Sequence, residues 1–205
     1  DLLSRIKGVR KRVSQDLGFL VDSVHIRDNL DLGPNIYRLA IHGVVMGEAE
    51  LLPDRELAIN PGQVFGEVDG VPAKDPSFGL DALWIDPSNR ESAQTAGYTV
   101  VDCSTVVATH LSQILKNNAA KLVGQDDVQQ LLDRLKQNSP KLVENLVPGV
   151  MSLADVTRVI HSLLDEGVPI RDMRTIAETL SLQRGSDRSP DEMVSQVRVA
   201  LGPSI

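Results

Sequence analysis

The chain is poor in aromatic residues, has one cysteine and lacks any long apolar run. Each shortage removes a class of protein. Six aromatics (one Trp, two Tyr, three Phe) among 205 residues leave the core to Val, Leu, Ile and Ala. Cys103 is the single cysteine, which excludes an internal disulfide and a Cys-rich zinc site and fits a reducing compartment. The longest unbroken apolar run is the four residues Ala82 to Ile85, against the roughly 20 that a membrane-spanning helix needs. A net charge of −7 and a pI near 5.1 argue against a general nucleic-acid binder, which carries a basic field. The four histidines (His25, His42, His110, His161) are scattered with no pair at metal-ligand spacing, so no metal and no cofactor is expected. Gly62, Gly66 and Gly70 are not followed by Gly-Lys-Ser/Thr, so they form no phosphate loop, and Asp69-Gly70 reads instead as a hairpin turn. No Gly-x-Ser-x-Gly elbow occurs. No apolar leader follows the first residues, and a start at Asp1 rather than Met leads us to expect a piece of something longer.

What is present is roughly 84 apolar side chains, enough for one large core or two small ones. Residues 1–16 hold Arg5, Lys7, Arg10, Lys11 and Arg12 against Asp1 and Asp16, a net of +3, so the remainder carries −10. Leu2, Ile6, Val9, Val13 and Leu17 predict a helix that Gly18 stops. Its basic side is either a solvated face or a surface for an anionic membrane or acidic neighbour. Val24–Ile26 and Tyr37–Ile41 alternate as strands do, and Gly43 and Gly47 punctuate Val44–Met46, giving a hairpin or meander. Turn signals crowd residues 54–102, with short strands expected at Leu57–Ile59, Val64–Val68, Ala82–Ile85 and Tyr98–Val101. Asp86 caps a helix with Pro87 at its first position. Beyond Asp102 the pattern is helical. Gly124 and Gly167 are expected as terminators, Ser152 and Ser189 as caps, and residues 183–188 as a polar linker. The fold class is therefore α+β.

Three candidates for chemistry stand out. Cys103 and His110 are seven residues apart. On one helix that separation is ~10 Å along the axis, too far for a thiolate–imidazole pair, so a cysteine-dependent hydrolase is a remote alternative. Residues 152–182 resemble a helix-turn-helix, but Arg158, Arg171 and Arg174 face Asp155, Asp165, Glu166, Asp172 and Glu178, and a net of −2 opposes phosphate contact. The third is the loop Lys74 to Asp81, which sets Phe78 between Pro76 and Gly79. Phe78 either forms the floor of a recognition pocket or plugs the core of the small α+β unit.

The run from Asp75 to Ile85 (DPSFGLDALWI) resembles the FlhA family of flagellar type III export gate proteins. So do Thr99 to Leu111 (TVVDCSTVVATHL), Val24 to Leu32 (VHIRDNLDL), Leu57 to Gly62 (LAINPG) and Gly167 to Ile176 (GVPIRDMRTI). Gln129 to Asp133 (QQLLD) and Val106 to Leu111 look flagellar rather than virulence-type, although the virulence gates share the fold and remain the alternative.

The resemblance implies a multi-subdomain α+β architecture. A discontinuous α/β first subdomain would occupy 1–53 and 103–122, with a small α+β subdomain inserted at 54–102. An all-α subdomain would occupy 123–202, and 203–205 would start a missing fourth. It implies a docking platform rather than an enzyme. In such proteins a membrane region, absent here, anchors a nonameric ring on the cytoplasmic face of the bacterial inner membrane. Export chaperones carrying filament-type cargo dock there, and components of the export ATPase complex are further partners; nucleic acid is not. The resemblance places the docking dimple between the first two subdomains, on Asp75, Phe78 and Thr109. Leu57, Ile59, Pro61, Leu80, Val101 and Val106 would line its wall. Asp75 would offer an acceptor to the partner, and many relatives carry Ala where Ser77 and Cys103 stand.

Overall fold

The computed structural model describes residues 1–183 and 188–204. It is a mixed α+β fold in two compact units, Asp1–Arg10 with Ser23–Ile114 and Lys11–Asp22 with Leu115–Ile205. The boundary falls within helix α1 (Leu2–Leu17) and within α3 (Cys103–Asn117).

In the first unit, β1 (Ile36–Ile41) and β2 (Val44–Glu50) pair antiparallel around a two-residue turn, His42-Gly43, with positive φ at both positions. That sign matches the right-handed strand twist. A bulge between Leu39 and Ala40 shifts the register. The second sheet is antiparallel with strand order β4-β5-β3-β6, formed by β3 (Glu56–Ile59), β4 (Val71–Lys74), β5 (Asp81–Ile85) and β6 (Thr99–Val101). Period-two alternation gives it two apolar faces. Leu57, Ala82 and Trp84 pack with Val106 of α3 on one side. Ala58, Ile85 and Val100 pack with Ala93 of α2 (Arg90–Thr95) on the other. Asp86 accepts from the Ser88 amide at 2.9 Å and starts the single turn Pro87–Asn89 that leads into α2. Glu56 and Arg90 form an ion pair across the second face, and Arg90 also donates to the Val100 carbonyl at 3.3 Å.

Three local expectations fail. Val24–Ile26 and Val64–Val68 have the residues of strands but join no ladder among the described residues. Isolated β-branched residues do not make a strand without a partner. Asp69-Gly70 therefore turns no hairpin. Gly70 is instead a close-approach glycine, because a Cβ there would lie 2.7 Å from the Trp84 carbonyl oxygen and 3.0 Å from Leu83 Cβ.

The second unit is helical: α4 (Gln125–Asn138), α5 (Pro140–Glu144), α6 (Leu153–Asp165), α7 (Met173–Ser181) and α8 (Pro190–Leu201). Ser152, Asp172 and Ser189 cap the last three by accepting from the amides of Asp155, Thr175 and Glu192. Gly124 does not end α3; it precedes α4, and its amide donates to the Asp127 carboxylate at 2.8 Å. The helix-turn-helix candidate is a packing unit. Val156, Ile160 and Leu163 of α6 and Ile176 and Leu180 of α7 are fully buried. Gln183, expected in the linker, is buried and donates to Gln196 at 2.7 Å; positions 184–187 of that linker lie outside the described residues.

Candidate functional site

The Asp75–Phe78 turn is built by its own backbone and one carboxylate. Pro76 fixes φ, and Gly79 adopts φ +71, a conformation that penalises residues with a Cβ. The Asp75 amide donates to Leu80 O and the Gly79 amide to Asp75 O, both at 2.8 Å. The Asp75 carboxylate then accepts from the Ser77 amide at 3.2 Å and the Phe78 amide at 3.0 Å. Asp75 is 5% exposed while Phe78 is 61% exposed. The core-plug alternative for Phe78 is thereby removed: the ring is in solvent, on a turn held rigid from below.

Asp75 is consequently not the open acceptor expected from the sequence. Its two oxygens organise the turn. The Ser77 hydroxyl is buried beside it and has no hydrogen-bond partner among the described residues.

The other expected residues fall into two layers. Leu80, Pro61 and Thr109 are exposed with Phe78. Ile59 and Val101 are partly buried, packed against the cluster of Leu57, Ala82, Trp84 and Val106. Leu57 and Val106 are buried outright and cannot line an open wall. They face inward because strand register puts Leu57 opposite both Trp84 and Val101 on the core side of β3. They support the surface from beneath.

Two hollows open on the same unit, of about 490 and about 450 Å³. The first lies along Pro72, Lys74, Leu83 and Tyr98. The second lies between β2 and β4, and Asp75 alone of the nine expected residues lines either one.

Sequence reading missed a polar pair under this region. The Tyr37 hydroxyl and His110 Nδ1 are 2.7 Å apart, with the rings edge to face at 5.6 Å between centroids. Burial pushes the Tyr37 phenol well above its usual value, and the Asp75 charge pushes the same way. Burial holds the His110 imidazole below its ordinary value, and the Asp75 charge opposes that shift. Gly47 of β2 lets the ring sit close, since a Cβ there would meet His110 Nε2 at 2.8 Å. Tyr37, Gly47 and His110 are 73 residues apart end to end, and no local spacing joins them.

Cys103 opens α3 with its Sγ 3.4 Å from the Leu52 carbonyl, packed against the Leu57 cluster. Burial, then the charges of Asp102 and Glu56, push its thiol up, away from the nucleophilic thiolate. His110 is engaged by Tyr37, so the chemistry of a Cys–His pair has no support here. Among the described residues no group of three or more His, Cys, Asp or Glu side chains could hold a metal ion, and no helix is long and apolar enough to cross a membrane.

The profile of the FHIPEP family matches residues 1–205. The chain belongs to the FHIPEP family. It is 51% identical over 205 residues to the flagellar biosynthesis protein FlhA of Escherichia coli K12, covering all of this chain and 30% of that protein. The FHIPEP chain thus spans about 30% of the length of that curated relative. Its fold matches the Chlamydia pneumoniae CdsV protein with TM-score 0.84 at 21% identity, over 98% of this chain and 58% of that one. It also matches the nonameric EPEC SctV-C structure, with TM-score 0.75 at 20% identity, over 98% of this chain and 61% of that one. Among FHIPEP features, the α+β class expected from the sequence agrees with these neighbours.

Proposed function

We propose that this chain is part of a flagellar type III protein export gate and serves as a docking platform for export chaperones carrying filament-type cargo. The observation that carries the reading is Phe78, a large apolar ring displayed to solvent on a turn clamped by a buried carboxylate. Ordered exposure of this kind favours partner recognition, because the free state has little turn entropy left to lose on binding. Leu80, Pro61 and Thr109 extend the exposed surface, while Ile59, Val101, Leu57 and Val106 hold it from below. Identity of 51% to a flagellar protein, against 20–21% to the two solved neighbours above, supports a flagellar rather than a virulence system.

The full protein, in this reading, is anchored in the inner membrane by a region outside this chain and exposes this part on the cytoplasmic face. The nonameric neighbour supports assembly as a ring, with components of the export ATPase complex as further partners. The subdomain limits proposed are 1–53 with 103–122, 54–102, and 123–202.

Isothermal calorimetry with a flagellar chaperone–cargo complex tests the site. Phe78→Ala is expected to weaken binding by about 2 kcal/mol or more, roughly thirtyfold, with an unchanged thermal midpoint. Asp75→Ala is expected to weaken it too, and to lower stability by about 1–2 kcal/mol by freeing two amides. Wild-type affinity in both variants removes the site.

A further inference from the structure

We propose that the hollow between β2 and β4 takes an extended polypeptide segment as an added strand, with apolar and basic side chains at alternate positions. The proposal rests on the docking reading for the source of that segment, a stretch of the docked chaperone–cargo complex.

β2 and β4, which line much of the hollow, are both edge strands. Among the described residues β2 pairs with β1 alone and β4 with β5 alone. Their free groups follow from the ladder alternation. The Leu51 amide donates to Asn35 O at 2.8 Å, which continues the β1–β2 register. Ala49 therefore bonds toward β1, and the N–H and C=O of Glu48 and Glu50 point away from it. On the other edge strand the Asp75 amide donates to Leu80 O, which continues the β4–β5 register. Ala73 and Val71 then bond toward β5, and Pro72 and Lys74 point outward. Pro72 occupies a position where an edge strand tolerates a missing N–H, which agrees with this assignment.

Glu48, Glu50, Pro72 and Lys74 all line the one hollow, with Trp84 and Leu52 also in its lining. Three outward amides (Glu48, Glu50, Lys74) and four outward carbonyls at one hollow are matched by another extended backbone. The side chains narrow the ligand further. Glu48 is engaged by Arg38 at 2.8 Å and Lys74, the cation in the lining, by Asp81, whereas Glu50 has no ion-pair partner among the described residues. A basic residue on the incoming strand answers Glu50, and an apolar neighbour answers Trp84 and Leu52.

Residue-resolved hydrogen exchange on the 205-residue chain tests this with two probes. A capped Lys-Val-Lys-Val-Lys peptide at millimolar concentration is expected to slow exchange of the Glu48, Glu50 and Lys74 amides by about tenfold. The Leu51 and Asp75 amides, already bonded, should not change. The charge-reversed Glu-Val-Glu-Val-Glu peptide should have no effect. The flagellar chaperone–cargo complex is expected to protect the same three amides. Lys74→Pro, which removes one outward N–H, should weaken the basic peptide about tenfold, and Lys74→Ala much less. A basic peptide that leaves those amides unprotected overturns the strand site. A chaperone–cargo complex that binds without protecting them also overturns it, and leaves the docking reading standing. Peptide protection with no chaperone–cargo binding keeps the strand site and removes the docking reading.

Discussion

Asp75 is buried beneath the turn that carries Phe78, and its carboxylate is occupied by the Ser77 and Phe78 amides. In the proposed docking role Asp75 acts through the ring it positions, and Asp75→Asn, which keeps one acceptor oxygen, should retain more calorimetric chaperone–cargo binding than Asp75→Ala. The neighbouring Ser77 hydroxyl is buried without a partner among the described residues. Ser77→Ala is therefore expected to raise stability by about 1 kcal/mol in urea unfolding, with the turn intact; a loss of stability would mean that the hydroxyl is satisfied. Cys103 offers a third check at this scale. Its thiol, raised by burial and by Asp102 and Glu56, should alkylate slowly at neutral pH in the native state and quickly in denaturant. Rapid native alkylation would restore the nucleophile. The sequence made Phe78 legible, since Pro76 and Gly79 bracket it. It did not show that Asp75 faces inward, because a carboxylate in a turn is free or bonded according to backbone geometry that composition does not encode.

At the scale of elements, helices were readable and strands only partly so. The 3.6-residue apolar period and the caps Asp86, Ser152 and Ser189 are local, and the structure repeats them. Strands need a partner elsewhere in the chain. Val24–Ile26 and Val64–Val68 have the composition and no partner among the described residues, while β4, with Pro72 and Lys74, has a poor composition and an edge to join. Leu57 and Val106 were expected on a wall and lie in the core, for the same non-local reason. Gly18 ends α1 at φ +95, and a Cβ there would lie 2.5 Å from the Arg171 amide nitrogen. The Ile170 amide donates to Leu17 O at 2.8 Å in the same contact. Gly18→Ala should cost about 3 kcal/mol or more in chemical unfolding, through both strain and backbone overlap.

The contact of α3 with β1 and β2 through His110 has a pH signature. Burial depresses the folded-state value of His110, so the unfolded chain binds the extra proton first. Stability is then full above the unfolded value near ~6.5 and falls as pH drops through it. Urea midpoints should fall between about pH 7.5 and about pH 5.5, and His110→Gln should flatten that slope. An unchanged slope in the variant would assign the dependence to another group.

For the whole molecule, two compact units carry different content. The first holds both sheets, the Phe78 turn and both hollows. The second is helical, with a core mostly of Leu, Ile and Val. The sparse aromatics fall in both units: Trp84 is buried and Tyr37 half-buried in the first, Phe78 and Phe65 are exposed there, and Phe19 is buried in the second. The chain spans 30% of the length of its curated Escherichia coli relative, and the Phe78 turn lies within the first unit. The most direct measurement is therefore calorimetric titration of a flagellar chaperone–cargo complex into this chain and its Phe78→Ala variant, beside the thermal midpoints of both. Micromolar binding by the first, its loss in the second and equal midpoints are the expected result. Equal affinities, or no binding by either, would contradict the account.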